Sequence, residues 1–288
     1  MSKFFRFFGK AILFVLIFAV IVRIITVMGA TGEDLIMDDT IAVVRLEGVI
    51  MDTRYLDEKL KSLDENEKIK GVILEINSPG GAIAPTQQLY LRIMKMHKPV
   101  YAVMESIAAS GGYYTAAACD KVFAMESTIT GSIGVIMEYT NFRGLMDKFG
   151  VQSVVIKSGK MKDVPSPTRE LTEEEQKYLQ SNINDFYEQF LRDILKRRKI
   201  DEKKLREIAD GRVFSGRQAK QYNLIDTIGT REEAENAMKK QLDMPDIAIE
   251  EFYEPEQSLI KTLLSQAKSI AQSKGVDGGI YYLYRPGL

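Results

Sequence analysis

The 288-residue chain contains one histidine, His97, and one cysteine, Cys119. A lone cysteine forms no internal disulfide, and one cysteine with one histidine falls short of the four ligands of a structural zinc site. No carboxylate spacing marks a metal site, so neither a metal nor another cofactor is expected. Charge bias is also lacking: 39 basic against 40 acidic residues give a net charge of −1 at pH 7. Nucleic-acid binders carry a basic excess on one face, and that partner class is set aside. Internal repeats and low-complexity tracts are missing as well. The scarcity of histidine matters most, because a hydroxyl nucleophile needs a base and histidine is the usual one.

What is present begins with a long apolar run. Lys3, Arg6 and Lys10 precede a stretch from Ala11 to Ala30 interrupted only by Arg23. About 20 apolar residues span a bilayer, and an arginine near the far interface can snorkel to the headgroups. The run is long for a signal peptide and no small-x-small cleavage site follows it. Residues 1–30 are therefore expected to be a cytoplasmic stub and an uncleaved transmembrane helix, with the rest of the chain outside the cytoplasm by the positive-inside bias. Residues 31–40 read as a linker, 41–255 as the folded domain, and 256–288 as a helix and tail. The tail, "IYYLYRPGL", is apolar and follows a glycine pair, a combination suited to docking in a groove of its own or a neighbouring chain.

Within 41–255, strand-like and helix-like segments alternate. "IAVVRLEG" (41–48), "KGVILEIN" (70–77) and "PVYAVM" (99–104) read as strands. Helices are expected over "TRYLDEKLKSLDENEKI", from about Ala84 to Met96, and from near Ser110, with "SPGG" as a turn. Alternation of this kind predicts an α/β domain with mainly parallel strands, whose binding groups gather at strand C-terminal ends. A long helix follows, with Thr172 and Glu175 as a capping box, Leu179, Ile183, Phe186, Phe190 and Ile194 at helical spacing, and Lys196 to Lys199 complementing its C-terminal dipole. Cys119, in "TAAACDKVFA", reads as core packing.

"SIAASGGYY" (106–114) and "NSPGG" (77–81) both follow expected strands and can meet in one crevice. Ser110 is a candidate nucleophile. His97 lies at a helix-to-strand turn, where a lone histidine is more often a surface or capping residue than a base. A lysine serves if it is kept neutral, since burial disfavours the ammonium. Backbone N–H groups at glycines are the simplest donors for an oxyanion, and Gly80, Gly81 and Gly111 supply them.

The motifs "NSPGG" (77–81), "AASGGYY" (108–114), "TGSIGV" (130–135), "IKSGKMKDVPSPTR" (156–169) and "DGRVFSGRQAKQYNLID" (210–226) resemble, in this order, the short form of the signal peptide peptidase A family. The likeness covers roughly residues 41–255. It implies a crotonase/Clp protease-like fold of repeated ββα units, a membrane-anchored serine endopeptidase with a Ser/Lys dyad, and signal peptides left after processing as substrates. It also implies a homo-oligomeric ring, an octamer for the short form. Residue by residue, it assigns Ser110 as nucleophile, Lys162 as general base, Ser132 as the group orienting the lysine amine, and the N–H groups of Gly81 and Gly111 as oxyanion donors. Lys157 and Lys160 are then bystanders, Lys162 is expected to be buried beside Ser132, and Met161 stands where the family has an aromatic residue. A non-catalytic membrane scaffold and a coenzyme A thioester enzyme on the same fold are the alternatives, together with the related proteases that cut stomatin-like proteins.

Overall fold

The computed structural model describes residues 38–253 and the backbone of a strand at 279–283. The expected membrane helix within 1–30, most of the linker and the expected C-terminal helix lie outside the described residues. Among the described residues no helix is long and apolar enough to cross a membrane.

Strand and helix alternate through β1 (Thr40–Ile50), α1 (Arg54–Glu65), β2 (Ile69–Ala82), α2 (Ile83–Lys95), β3 (Val100–Ala109), α3 (Gly111–Ala117) and β4 (Lys121–Ala124). Short strands β5 (Ile129–Gly131) and β6 (Ile136–Glu138) lead to α4 (Arg143–Lys148) and the long α5 (Glu173–Arg197). The chain continues with α6 (Glu202–Ile208), β7 (Val213–Ser215), α7 (Gly216–Gln221), β8 (Thr227–Ile228), α8 (Arg231–Leu242), β9 (Ala248–Phe252) and β10 (Gly279–Leu283). Strands β9, β1, β2, β3, β4 and β8 lie side by side and parallel. Among the described residues, antiparallel pairing is confined to β7 on β5 and to β10, which lies between β2 and β6. The result is a mixed α/β sheet.

The parallel strands form where apolar residues run without a break. Ile41 to Val44 and Val72 to Leu74 are at most 1% exposed, the pattern of strands covered on both faces. Helix α1 buries Leu56, Leu60 and Leu63, one residue per turn on one stripe. Helix α5 starts at the expected capping box, Thr172 with Glu175, and buries Phe190, Leu191 and Ile194 near its far end. These residues meet α2 and α3 through an aromatic stack, Tyr90 on Tyr114 at 5.0 Å and Tyr114 on Phe190 at 4.6 Å between ring centroids. Both tyrosines give their hydroxyl hydrogens to Asp193, Tyr90 to its carbonyl at 3.0 Å and Tyr114 to its carboxylate. Each such ring pair adds about 0.5–1.5 kcal/mol beyond area burial. Helix α3, directly behind Ser110, is thereby fixed to the core.

Two expectations need correction. "SPGG" is the last part of β2 and not a turn: β1 pairs with Gly80 and Gly81 on one side and β10 with Gly80 to Ala82 on the other. The basic run at the end of α5 is also more than a complement to the helix dipole. Arg198 is buried, donates to the carbonyl of Cys119 at 2.6 Å and pairs with Asp226 at 2.5 Å, while Lys196 and Arg197 pair with Asp193 and Asp120. Cys119 is packed as expected, and burial pushes its thiol up to about 12.

Candidate active site

The site forms where β2, β3 and β5 end together. Ser110 sits at the junction of β3 and α3 with φ 52° and ψ −115°, a backbone conformation that costs of order 1–3 kcal/mol outside glycine. Two hydrogen bonds hold the junction: the Ser110 N–H donates to the Gly131 carbonyl at 2.7 Å, and the Tyr114 N–H donates to the Ser110 carbonyl at 2.8 Å. The residue is 1% exposed.

Strand β5 runs parallel to β3 with Ala109 opposite Gly131, so Ser110 and Ser132 leave adjacent strands at the same level. Adjacent strands are about 4.8 Å apart. Ser132 also has positive φ, 49°, is 7% exposed, and is held by its N–H donating to the Arg212 carbonyl at 2.8 Å. The two serines are neighbours.

The end of β2 closes on the same point. Ser78 Oγ donates to the Gly48 carbonyl at 2.6 Å and accepts the Gly80 N–H at 3.1 Å, shaping the residues before Gly81. A Cβ on Gly111 would lie 3.2 Å from Gly81 N, 3.2 Å from Gly80 Cα and 2.9 Å from Thr86 Oγ1. A Cβ on Gly112 would lie only 2.6 Å from the Ser78 carbonyl oxygen. Only residues without side chains let these backbones approach so closely. Ser110, Ser132, Gly81 and Gly111 are therefore brought together.

Lys162 is not. Its side chain is exposed, and among the described residues it makes no hydrogen bond or ion pair with Ser110, Ser132 or any other group. The expected burial beside Ser132 is absent because the segment before it lies on the surface of this chain. Phe149, Val154 and Ile156 are 76%, 85% and 97% exposed. The neighbouring lysines differ from Lys162 in being paired: Lys157 contacts Asp163 at 2.5 Å and Lys160 contacts Glu174 at 2.5 Å. His97 is exposed, rests against Asp64 at 3.0 Å, and precedes β3 whereas Ser110 follows it. Ten strand residues separate those ends by about 30 Å, which removes His97 as the base.

The tail, expected to dock in a groove, meets the end of β2 as a strand. Strand β10 runs antiparallel along the end of β2, with Tyr281, Tyr282 and Leu283 opposite Ala82, Gly81 and Gly80. Its other edge pairs with Ile136 to Glu138 of β6. An extended segment of the chain thus lies against the glycine that adjoins Gly111.

Comparison with known proteins gives the arrangement a context. Residues 92–244 match peptidase family S49, and residues 39–130 match the Clp protease family. A putative signal peptide peptidase of Enterococcus faecium is 41% identical over 197 residues, covering 67% of this chain and 57% of the relative. A putative protease of Methanocaldococcus jannaschii is 33% identical over 292 residues, 94% of this chain and 89% of the relative. A chloroplastic serine protease of Arabidopsis thaliana is 30% identical over 269 residues, 87% of this chain and 39% of its own length. The alignments thus span less than two thirds of the Enterococcus and Arabidopsis proteins and nearly all of the archaeal one.

Proposed function

The chain belongs to peptidase family S49, and we propose that it is a membrane-anchored serine endopeptidase that cleaves signal peptides left in the bilayer after processing. The observation that carries this reading is the meeting of Ser110, Ser132, Gly81 and Gly111 at the ends of three neighbouring strands. Acyl transfer needs a nucleophile beside backbone donors fixed in advance, and such donors are among the largest contributions to the rate.

In the proposed reaction, Ser110 Oγ attacks the peptide carbonyl carbon while the neutral amine of Lys162 takes the hydroxyl proton. The N–H groups of Gly81 and Gly111 hold the resulting oxyanion. Lys162 returns the proton to the leaving amine as the C–N bond breaks, leaving an acyl ester on Ser110. Water, deprotonated by Lys162, then attacks the ester, and Ser110 recovers its hydrogen. Ser132 accepts or donates a hydrogen bond to orient the amine. Lys162 fits the base in one further respect: the neighbouring Lys157 and Lys160 are engaged by Asp163 and Glu174, while among the described residues the Lys162 amine has no such partner and is available to a second copy.

The pairing of β10 with Gly80 to Ala82 supports reading this edge as the cleft for an extended peptide, bound antiparallel and occupied here by the chain's own tail. The Clp protease match supports a crotonase/Clp protease-like fold of repeated ββα units. The finer organisation follows the sequence: an N-terminal single-pass anchor in 1–30 with its start in the cytoplasm, a linker, and a catalytic domain at 41–255 on the extracytoplasmic side, assembled with other copies into a ring. An exposed Lys162 and an apolar surface segment before it favour assembly, since a neighbouring copy would cover both.

The test is covalent. A fluorophosphonate probe added to the full chain in detergent should label one residue, found by peptide mapping to be Ser110, and Ser110→Ala should not be labelled. Labelling elsewhere, or none in a folded protein that also fails to cleave apolar peptides, would turn the reading towards a scaffold.

A further inference from the structure

The residue after Lys162 is the centre of an ion cluster that ties its loop to the rest of the protein. Arg169 donates to both carboxylate oxygens of Asp163, from Nε at 3.0 Å and from Nη2 at 2.9 Å. The same guanidinium donates to both oxygens of Glu175, from Nη1 at 2.8 Å and from Nη2 at 2.6 Å, and Nη1 also donates to the Glu170 carbonyl at 3.0 Å. An arginine has five N–H hydrogens, and these contacts use all of them. Glu175 in turn accepts the Thr172 N–H at 2.9 Å as the capping box of α5, the helix whose far end is buried through Phe190 and Ile194. On the other side of Asp163, Lys157 donates to Oδ1 at 2.5 Å and to the Lys160 carbonyl at 2.8 Å, closing the loop around Lys162. The arginine lowers the titration of both carboxyls, Glu175 to about 2, so the cluster stays ionised at any working pH.

From this geometry we propose that Arg169, acting through Asp163 and Glu175, is a positioning residue that sets where Lys162 presents its amine. The inference rests on the reading of Lys162 as the general base. An exposed loop has no packed core to define its path, and a lysine side chain with four rotatable carbons adds further freedom. What fixes the origin of that side chain is its neighbour Asp163, gripped bidentately by Arg169, which also grips Glu175 of a helix anchored in the core. A lysine at 169 keeps the charge but loses the planar fork that grips two carboxylates at once. None of the clamp's hydrogen bonds among the described residues involves Gly80 to Ala82, where substrate is proposed to pair, so its loss is expected to fall on the proton-transfer step.

The experiment uses the full chain in detergent with a fluorogenic apolar peptide, comparing Arg169→Lys, Asp163→Asn and Lys162→Ala, each also tested by its rate of Ser110 labelling with a fluorophosphonate. Misplacement of a catalytic group by about 1 Å costs on the order of a hundredfold. Arg169→Lys and Asp163→Asn are expected to lower kcat about ten- to a hundredfold with KM changed less than about twofold. In the Lys162→Ala background the same substitutions should lower the labelling rate no further, because a positioning residue has nothing left to position. Melting curves check that both variants fold; Asp163→Asn keeps an acceptor for Arg169 and is the milder of the two. A wild-type kcat in both variants overturns the inference, and so does an equal further loss in the Lys162→Ala background, which would mark a general structural role. A wild-type rate in Lys162→Ala itself overturns instead the reading of Lys162 as the base.

Discussion

Gly112→Ala tests whether the spacing of the two glycine segments matters for chemistry. The added methyl would stand 2.6 Å from the Ser78 carbonyl oxygen, while carbon and oxygen in comfortable contact sit about 3.3–3.6 Å apart. Relief therefore needs a shift of roughly 0.7–1 Å. The obstacle is backbone on both sides, so no side-chain rotation absorbs it. Overpacking of this kind costs about 1–3 kcal/mol, which lowers the melting temperature by roughly 2–4 °C per kcal/mol in a domain of this size. The shift separates α3 from the end of β2, and so separates Gly111 from Gly81. A displacement near 1 Å at a catalytic group costs on the order of a hundredfold, and loss of one oxyanion donor about 10²–10³. We expect kcat on an apolar fluorogenic peptide to fall about ten- to a hundredfold with KM little changed, as for an interaction made in the transition state. Gly144→Ala is the control. It lies in α4 with open space where the methyl would go, and should gain up to about 1 kcal/mol with full activity. A Gly112→Ala protein with a lowered melting temperature but wild-type kcat would refute the role assigned to the glycine spacing.

Removing residues 275–288 should raise the cleavage rate of short peptides, because β10 lies on the edge at Gly80 to Ala82 where substrate is proposed to pair. A tethered occupant competes at an effective concentration of about a millimolar, so the gain should be severalfold at low substrate, and equal rates would show that the tail does not compete. Arg198→Ala removes the partner of Asp226 and of the Cys119 carbonyl from a site 5% exposed. The Asp226 side chain is 43% exposed and keeps its solvation, so the loss is that of charge-assisted hydrogen bonds, about 1.5–3 kcal/mol, and thermal melting should show a drop of about 3–12 °C. The Glu175 carboxyl is held at about 2, chiefly by Arg169, below its unfolded value of about 4.3. Its stabilisation is therefore complete above about pH 4.3 and lost as pH falls towards 2. Acid unfolding followed by circular dichroism should be less steep across that window in Glu175→Gln than in the wild type.

Much of the fold was legible because it is local. Continuous apolar runs marked β1, β2 and β3, leucines one turn apart marked α1, and Thr172 with Glu175 marked the start of α5. What escaped depended on distant partners. "SPGG" has the composition of a turn, and it is strand because β1 lies on one side and residues some 200 positions later lie on the other. Strand β3 runs past the polar Glu105 and Ser106 to Ala109 because β2 and β5 pair with its last residues. Arg198 looked like one of four basic residues at a helix end, and nothing local distinguishes the one that reaches Cys119 and Asp226. At the site, the glycines and Ser110 could be placed from their position after strands, whereas Ser132 and Lys162 entered through resemblance alone. The parallel register of β3 and β5 supplies a physical reason for Ser132. The cluster of Asp163, Arg169 and Glu175 was within reach, with its members six positions apart, but charges in a polar loop look solvated until their geometry is seen.

The most direct measurement is hydrolysis of an apolar fluorogenic peptide and of an unfolded protein by the full chain in detergent, beside Ser110→Ala and Lys162→Ala of unchanged folding and assembly. The account predicts turnover by the wild type and its loss in both variants, by at least about a thousandfold for each. Wild-type turnover in either variant would contradict the Ser/Lys dyad.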